Sequence, residues 1–261
     1  MFMALEIELN GPVATIWMNR PDIHNAFDET LIAELTAACI ALDEDKDVRV
    51  VVLAGRGKSF SAGADLNWMK RAANNGLDDN LDDARALAKM LRTLAEMKKP
   101  TIARVQGAAL GGGMGLAAAC DIAVASTRAV FATSEVRFGI IPSAISPYVL
   151  RAIGPRQATR YFQTAERIDA HHARQIGLVH ETVEPEKLDA RVQEFVNDLL
   201  QGGPLAQAAA KDLIRAVEGQ IINETLVEET AHRIARLRAT PEAREGIAAF
   251  LEKRNPDWFG E

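Results

Sequence analysis

The chain has 261 residues, 48% apolar and 25% charged, with a formal net charge of −6. This is ordinary globular composition, at a length that holds one large domain or a domain with an appendage. The acidic balance argues against nucleic acid as a partner, and no apolar run reaches the length of a membrane span. Cys39 and Cys120 lie far apart among apolar neighbours and read as core residues, not as a disulfide framework or a metal site. The stretch from Met1 to Glu8 carries acidic residues where a signal peptide needs basic ones, so a cytoplasmic protein is expected.

Residues 5–9 and 13–18 have strand character, and Asn10-Gly11 between them predicts a hairpin turn. Asp28 can cap a helix whose inner face carries Leu31, Leu35, Cys39 and Leu42. Residues 48–54 form an unbroken apolar run, which predicts a buried parallel strand. Residues 74–83 are polar and read as a mobile loop. Leu87, Leu91 and Leu94 then mark a helix ended by Lys98, Lys99 and Pro100. Strands are predicted at 101–105, 122–125 and 129–133, with one more near 178–183, and helices at 204–217, 224–237 and 241–253. The alternation of strands and helices argues for an α/β core. Ile234, Leu237, Ile247, Phe250 and Leu251 are too many apolar residues for a solvated tail and predict packing on the core or on another subunit.

Two loops offer chemistry. Gly111, Gly112 and Gly113 lead from a strand into a helix of small residues. Glycine there permits backbone angles that a β-carbon forbids and lets another molecule approach closely. The helix start presents free N–H groups and the positive end of its dipole. A tight turn packed against a neighbour satisfies the same pattern. Phe60-Ser61-Ala62-Gly63-Ala64-Asp65-Leu66 is a second small-residue turn after a strand. Ligands in open α/β sheets bind beyond the carboxyl ends of strands, so the two loops can share one site and form an oxyanion hole. Glu135, at the end of an apolar segment, is the candidate general base, because burial raises a carboxyl pKa. The alternative is an exposed glutamate paired with Arg137. Gly55-Arg56-Gly57-Lys58-Ser59 fails as a P-loop, since Val52 stands where its first glycine belongs. There is no Gly-x-Ser-x-Gly elbow for a serine hydrolase, and His171 and His172 lack metal-ligand spacing, so no metal is expected. Asp121 reads as a capping or hydrogen-bonding residue.

Asn19-Arg20-Pro21 with Asn25-Ala26, then Phe60 to Leu66, Gly107 to Asp121, Glu135 to Pro142 and Phe250-Leu251-Glu252-Lys253-Arg254 occur in this order across nearly the whole chain. In these motifs the chain resembles the crotonases, the enoyl-CoA hydratase/isomerase family. The resemblance implies an α/β spiral of repeated ββα turns over residues 1–197. A helical region, 198–261, would follow and build trimers, often paired into hexamers. It implies a thioester carbonyl gripped by the N–H groups of Ala64 and Gly112, with Glu135 as the catalytic carboxylate. It places Ala62, Asp65 and Leu66 around CoA, the loop of His24, Asn25 and Ala26 against the pantetheine arm, and Gly111 and Gly115 among the substrate-binding residues. Lys253 matches a position that reaches the CoA phosphate in a neighbouring subunit. CoA is then part of the substrate, and no separate cofactor is implied.

One departure stands out. Typical hydratases carry a first catalytic glutamate where this chain has Gly115. Moving a double bond needs only one base, so the missing carboxylate favours an isomerase. A finer resemblance, in Gly-Gly-Gly-Met-Gly and in the run from Ser134 to Tyr148, is to bacterial methylglutaconyl-CoA hydratases of leucine breakdown and to relatives acting on isoprenoid acids. It implies an enoyl-CoA hydratase for a branched or carboxylated acyl chain. Ser143-Ala144-Ile145-Ser146 would alter the acyl pocket, and Arg137 or Arg151 would be the candidate cations for a remote carboxylate. The alternatives are an isomerase working through one glutamate and an acyl-CoA-binding protein without turnover.

Overall fold

A computed structural model describes residues 2–259. The chain opens on a hairpin, β1 (Leu5–Asn10) against β2 (Val13–Met18), with Asn10 opposite Val13. The turn residues are therefore Gly11 and Pro12, one step later than the Asn10-Gly11 turn expected. Gly11 takes φ +55, which suits the first position of such a turn, and proline fixes a negative φ at the second. α1 (Glu29–Glu44) starts where the Asp28 carboxylate accepts from the Leu31 N–H at 2.9 Å, and it buries Leu31, Leu35, Cys39 and Leu42 as its periodicity predicts. β3 (Val50–Gly55) is buried throughout.

Next come α2 (Leu66–Ala72) and α3 (Leu77–Glu96). α3 begins inside the polar stretch expected to be a loop: its first turns are exposed all round, and its buried residues, Met90, Leu91 and Leu94, come only in its later turns. β4 (Thr101–Val105), β5 (Ala108–Leu110) and α4 (Gly112–Ala119) follow, then β6 (Ile122–Ser126), β7 (Val130–Ala132) and α5 (Ser146–Thr164). Asp121 accepts from both the N–H and the hydroxyl of Thr101, at 2.8 and 2.9 Å, locking β4 to the start of β6. β8 (Ile168–Asp169), α6 (Ala170–Gln175) and β9 (Glu181–Val183) complete the first part of the chain. The strand expected near 178–183 shrinks to β9, since Leu178 and Val179 are buried in the turn before it.

One sheet runs β1-β2-β3-β4-β6-β9, parallel except for β1. A second, smaller sheet runs β5-β7-β8. The pairing repeats. β4 joins the large sheet, β5 the small one, and α4 follows; β6, β7 and α5 do the same. After β2 and β3 the second strand is reduced to single parallel bridges, Phe27 to Ala64 and Ser61 to Ala109, before α1 and α2. Each turn is thus strand, short strand, helix, and the turns stack as a spiral.

The chain divides into two compact units: residues up to Met97 with Thr101–Glu194, and Lys98–Pro100 with the chain from Phe195 onward. α7 (Leu188–Gln201) leads into the second, which contains α8 (Pro204–Val217), α9 (Glu224–Arg238) and α10 (Pro241–Glu252). Glu242 at the head of α10 accepts from the Leu205 and Ala206 N–H groups at the head of α8, both at 2.9 Å, so one carboxylate satisfies two orphan donors. Ile247, Phe250 and Leu251 of α10 are exposed. Among the described residues no helix is long and apolar enough to cross a membrane.

Candidate active site

The spiral brings three loop corners side by side. Ser61 donates its N–H to the Ala108 carbonyl at 3.0 Å, and its own carbonyl accepts from Leu110 at 2.9 Å. One turn further, Gly111 donates to the Ala132 carbonyl at 2.8 Å. Each corner leaves the small sheet in the same direction, so Ala64, Gly112 and Glu135 follow three adjacent strand ends. The N–H groups of Ala64 and Gly112 donate to no protein group among the described residues. Both residues line one cavity of about 470 Å³.

The glycines of this corner have different reasons to be glycine. Only Gly111 needs its backbone freedom, at φ +49 and ψ −117. Gly112 and Gly113 lie within α4 and are small because something fills their side-chain space. A β-carbon on Gly112 would stand 2.6 Å from Cδ2 of the buried Phe27 ring, and one on Gly113 would stand 3.0 Å from Cβ of Ser61. At Gly115 the space belongs to Ile145, whose Cβ would be 2.7 Å away and whose Cγ2 would be nearer still.

Glu135 starts a short 3-10 turn, Glu135–Phe138, directly after β7. Its Oε1 lies 3.0 Å from where a β-carbon on Gly111 would stand, so the carboxylate reaches across to the glycine corner. Its Oε2 is buried without a hydrogen-bond partner. Burial pushes the Glu135 carboxyl above the usual glutamate range, only partly opposed by its own backbone N–H. The expected alternative, a pair with Arg137, does not form: that guanidinium donates to the Ala165 carbonyl at 3.0 Å.

The cavity wall includes Ala62, Ala64, Leu66, Gly111, Gly112 and Glu135 from the predicted set. It does not include His24, Asn25, Ala26, Asp65 or Gly115. Asn25 is fully buried, and its amide is used up inside the fold: Nδ2 donates to the carbonyls of Arg56 and Ser59 at 2.9 Å, and Oδ1 accepts from the Arg20 N–H. Asp65 caps α2 by accepting from the Asn67 and Trp68 N–H groups at 2.7 and 3.1 Å. His24 sits exposed at φ +55, its Nδ1 3.0 Å from the Ser59 hydroxyl, and its carbonyl accepts from Ala62. Ala26 is buried, with its carbonyl accepting from Arg20 Nη1 at 2.7 Å. Lys253 closes α10 in a left-handed conformation, in the second unit. Neither Arg137 nor Arg151 lines the cavity. Its charged side chains among the described residues are Asp83 and Glu135.

Three residues matter here whose contacts sequence reasoning did not give. Arg20 ties the loops together: its Nη2 lies 2.7 Å from the Asp28 carboxylate and 3.5 Å from that of Asp65, linking the caps of α1 and α2. Phe27 and Ile145 fill the spaces over Gly112 and Gly115. Arg20 belongs to a visible motif, but the contacts of Phe27 and Ile145 join residues far apart in the chain.

A family model described as enoyl-CoA hydratase/isomerase matches residues 8–261. The chain belongs to the enoyl-CoA hydratase/isomerase family. It is 34% identical to a crotonyl-CoA hydratase of Syntrophomonas wolfei over 97% of this chain and 96% of that protein. It is 34% identical to the 2,3-dehydroadipyl-CoA hydratase of Escherichia coli over 95% of both. A crystal structure of an enoyl-CoA hydratase from Shewanella pealeana superposes with a TM-score of 0.96 at 44% identity, covering 98% of this chain and 96% of that one. This enoyl-CoA hydratase/isomerase family member therefore has the crotonase fold, and the repeating strand, short strand and helix of its first unit are the expected spiral.

Proposed function

We propose that this protein is an enoyl-CoA hydratase, adding water across the α,β double bond of an acyl-CoA thioester. The single observation that carries the reading is the half-buried Glu135 carboxylate, its Oε1 against Gly111 and its Oε2 without a partner, beside the unused N–H groups of Ala64 and Gly112. The thioester oxygen accepts from those two N–H groups. Each donor so placed contributes roughly 3–4 kcal/mol as negative charge develops on that oxygen. Glu135 takes a proton from water, the hydroxyl adds to the β-carbon, and a proton returns from Glu135 to the α-carbon. A carboxyl raised by burial suits both transfers, since it sits nearer to the working pH. CoA enters as part of the substrate, without a further cofactor, and its binding away from the reacting carbons helps hold the acyl group in place.

The acyl chain we propose is branched or carboxylated, as in methylglutaconyl-CoA. Trp68, Met69, Leu87, Ile140 and Ile141 give the cavity an apolar wall suited to branching. The name of the E. coli relative, a hydratase of a dicarboxylic enoyl-CoA, is in keeping with a carboxylated chain. With Asp83 and Glu135 as the charged groups of the wall among the described residues, a remote carboxylate belongs at the open mouth, where water solvates it. We further propose that the helical second unit joins copies into trimers through α10, and that the protein works in the cytoplasm.

A second reading, an enoyl-CoA isomerase, is favoured by Gly115: without a second carboxylate, Glu135 alone can carry a proton from one carbon to another. Incubation with a mixed panel of enoyl-CoA esters, followed by mass spectrometry, decides between them. Hydration adds the mass of water. Isomerisation leaves mass unchanged and moves solvent deuterium into the chain. No turnover on any ester would leave only a binding role.

A further inference from the structure

We infer that Ile145 is a specificity-determining residue: its side chain occupies the seat that any side chain at position 115 would need, and so leaves Glu135 to work without a second carboxylate from α4. This rests on the enoyl-CoA reading above. A β-carbon on Gly115 would come within 2.7 Å of Ile145 Cβ, closer than real β-carbons approach. Ile145 is 3% exposed, lines the cavity and belongs to the hydrophobic core. It has little room to move. Its carbonyl accepts from the N–H groups of Tyr148 and Val149, both at 3.1 Å, which fixes its backbone at the head of α5. Branching at its β-carbon restricts its rotamers. The bare backbone of Gly115 and the branched side chain of Ile145 are two halves of one fit.

The chemical consequence concerns the wall over α4. Gly115 spends its N–H on the Gly111 carbonyl at 3.1 Å, and the Ile145 side chain offers neither donor nor acceptor. Hydration then runs through one group. Glu135 takes a proton from water, the C–O bond forms at the β-carbon as the double-bond electrons move towards the thioester oxygen, and the proton held by Glu135 returns to the α-carbon. One water is consumed and Glu135 is restored. Migration of a β,γ double bond uses the same group without water: Glu135 removes an α-proton and returns it at the γ-carbon. One carboxylate serves both routes, so their ratio depends on whether a second group holds the water. Ile145 excludes such a group at position 115.

The test compares the natural protein with Gly115→Glu, Ile145→Gly and the double variant. Each is given 2-hexenoyl-CoA and 3-hexenoyl-CoA, with products separated by chromatography and mass. Gly115→Glu alone is expected to lose at least about tenfold in kcat/KM. The double variant is expected to recover at least about tenfold of that loss, and to raise the ratio of hydration to migration by at least about tenfold, a modest share of what acid–base groups contribute. Since Gly115→Glu can fail to fold, thermal melts of Gly115→Ala decide the packing separately. Against Ile145 that change lowers Tm; in the Ile145→Gly background it leaves Tm unchanged or raises it. The inference is overturned if Gly115→Glu matches the double variant in activity and Tm, if Gly115→Ala lowers Tm equally in both backgrounds, or if the product ratio does not rise. If none of the four proteins turns over any ester, the enoyl-CoA reading falls, and the melts still decide whether Ile145 fills the seat.

Discussion

Replacing Glu135 with glutamine is expected to move activity and stability in opposite directions. Glutamine keeps the shape of the side chain but cannot hold and return a proton. Positioned acid–base groups contribute about 10²–10⁴-fold, so kcat/KM should fall by that factor, or roughly 2.7–5.5 kcal/mol of transition-state stabilisation. Stability should rise. Oε2 of Glu135 is buried without a partner, and an unsatisfied buried polar group costs roughly 1–3 kcal/mol, more when charged. Glutamine removes the charge but leaves an amide in the same seat, so the gain is on the order of 1 kcal/mol, or about 2–4 °C in Tm for a chain of this size. The sign with pH follows from the raised carboxyl. Below the ordinary glutamate range Glu135 is protonated both folded and unfolded, and the two proteins melt alike. As pH rises from there through the folded pKa, the unfolded chain releases its proton first, the native state loses stability, and the advantage of Glu135→Gln grows. Calorimetric melts from pH 4 to 8, beside hydration assays, measure both effects. A variant less stable than the natural protein at neutral pH, or a Tm difference independent of pH, would refute the idea of a desolvated, unpaired carboxylate.

Four further outcomes are expected. Gly111→Ala should lower hydration by about 100-fold or more, because it forces a β-carbon to 3.0 Å from Glu135 Oε1 at a backbone angle that suits glycine; steady-state kinetics on crotonyl-CoA tests this. Asn25→Ala should cost about 3 kcal/mol in urea unfolding, since it strands the buried carbonyls that Nδ2 now satisfies. Cys39, whose thiol burial pushes up to about 12, should resist thiol reagents in the native protein and react only on unfolding. If α10 joins copies as proposed, Phe250→Glu with Leu251→Glu should leave only monomers in sedimentation, as both side chains are exposed.

Much of the fold was legible because local signals agreed with it. Asp28 ahead of a 3.6-residue stripe marked α1, and the apolar run of β3 marked a strand buried on both faces. The misses have particular causes. Polar residues before Ala84 were read as a loop because the first turns of α3 are exposed all round, Leu77 and Leu81 included, and so show no buried stripe. β5, Ala108–Leu110, has no strand propensity to notice; it exists because β7 pairs with it. The glycine corner was seen, but Gly111, Gly112 and Gly113 were all credited with backbone freedom, when Gly112 and Gly113 make room for Phe27 and Ser61. Asn25 was assigned to the substrate because its motif was visible, while the carbonyls that use its amide lie 31 to 35 residues away.

The stacked corners have a consequence for how such a protein can change. In the proposed mechanism carbonyl grip and proton transfer come from separate loops, each following its own strand. The two corners nevertheless touch: Ile145, in the loop before α5, fills the space over Gly115 of α4, the helix that begins at Gly112, and Glu135 reaches across to Gly111. Capture and chemistry are mechanically coupled through these contacts, and new product preferences should be reached by paired substitutions across two corners.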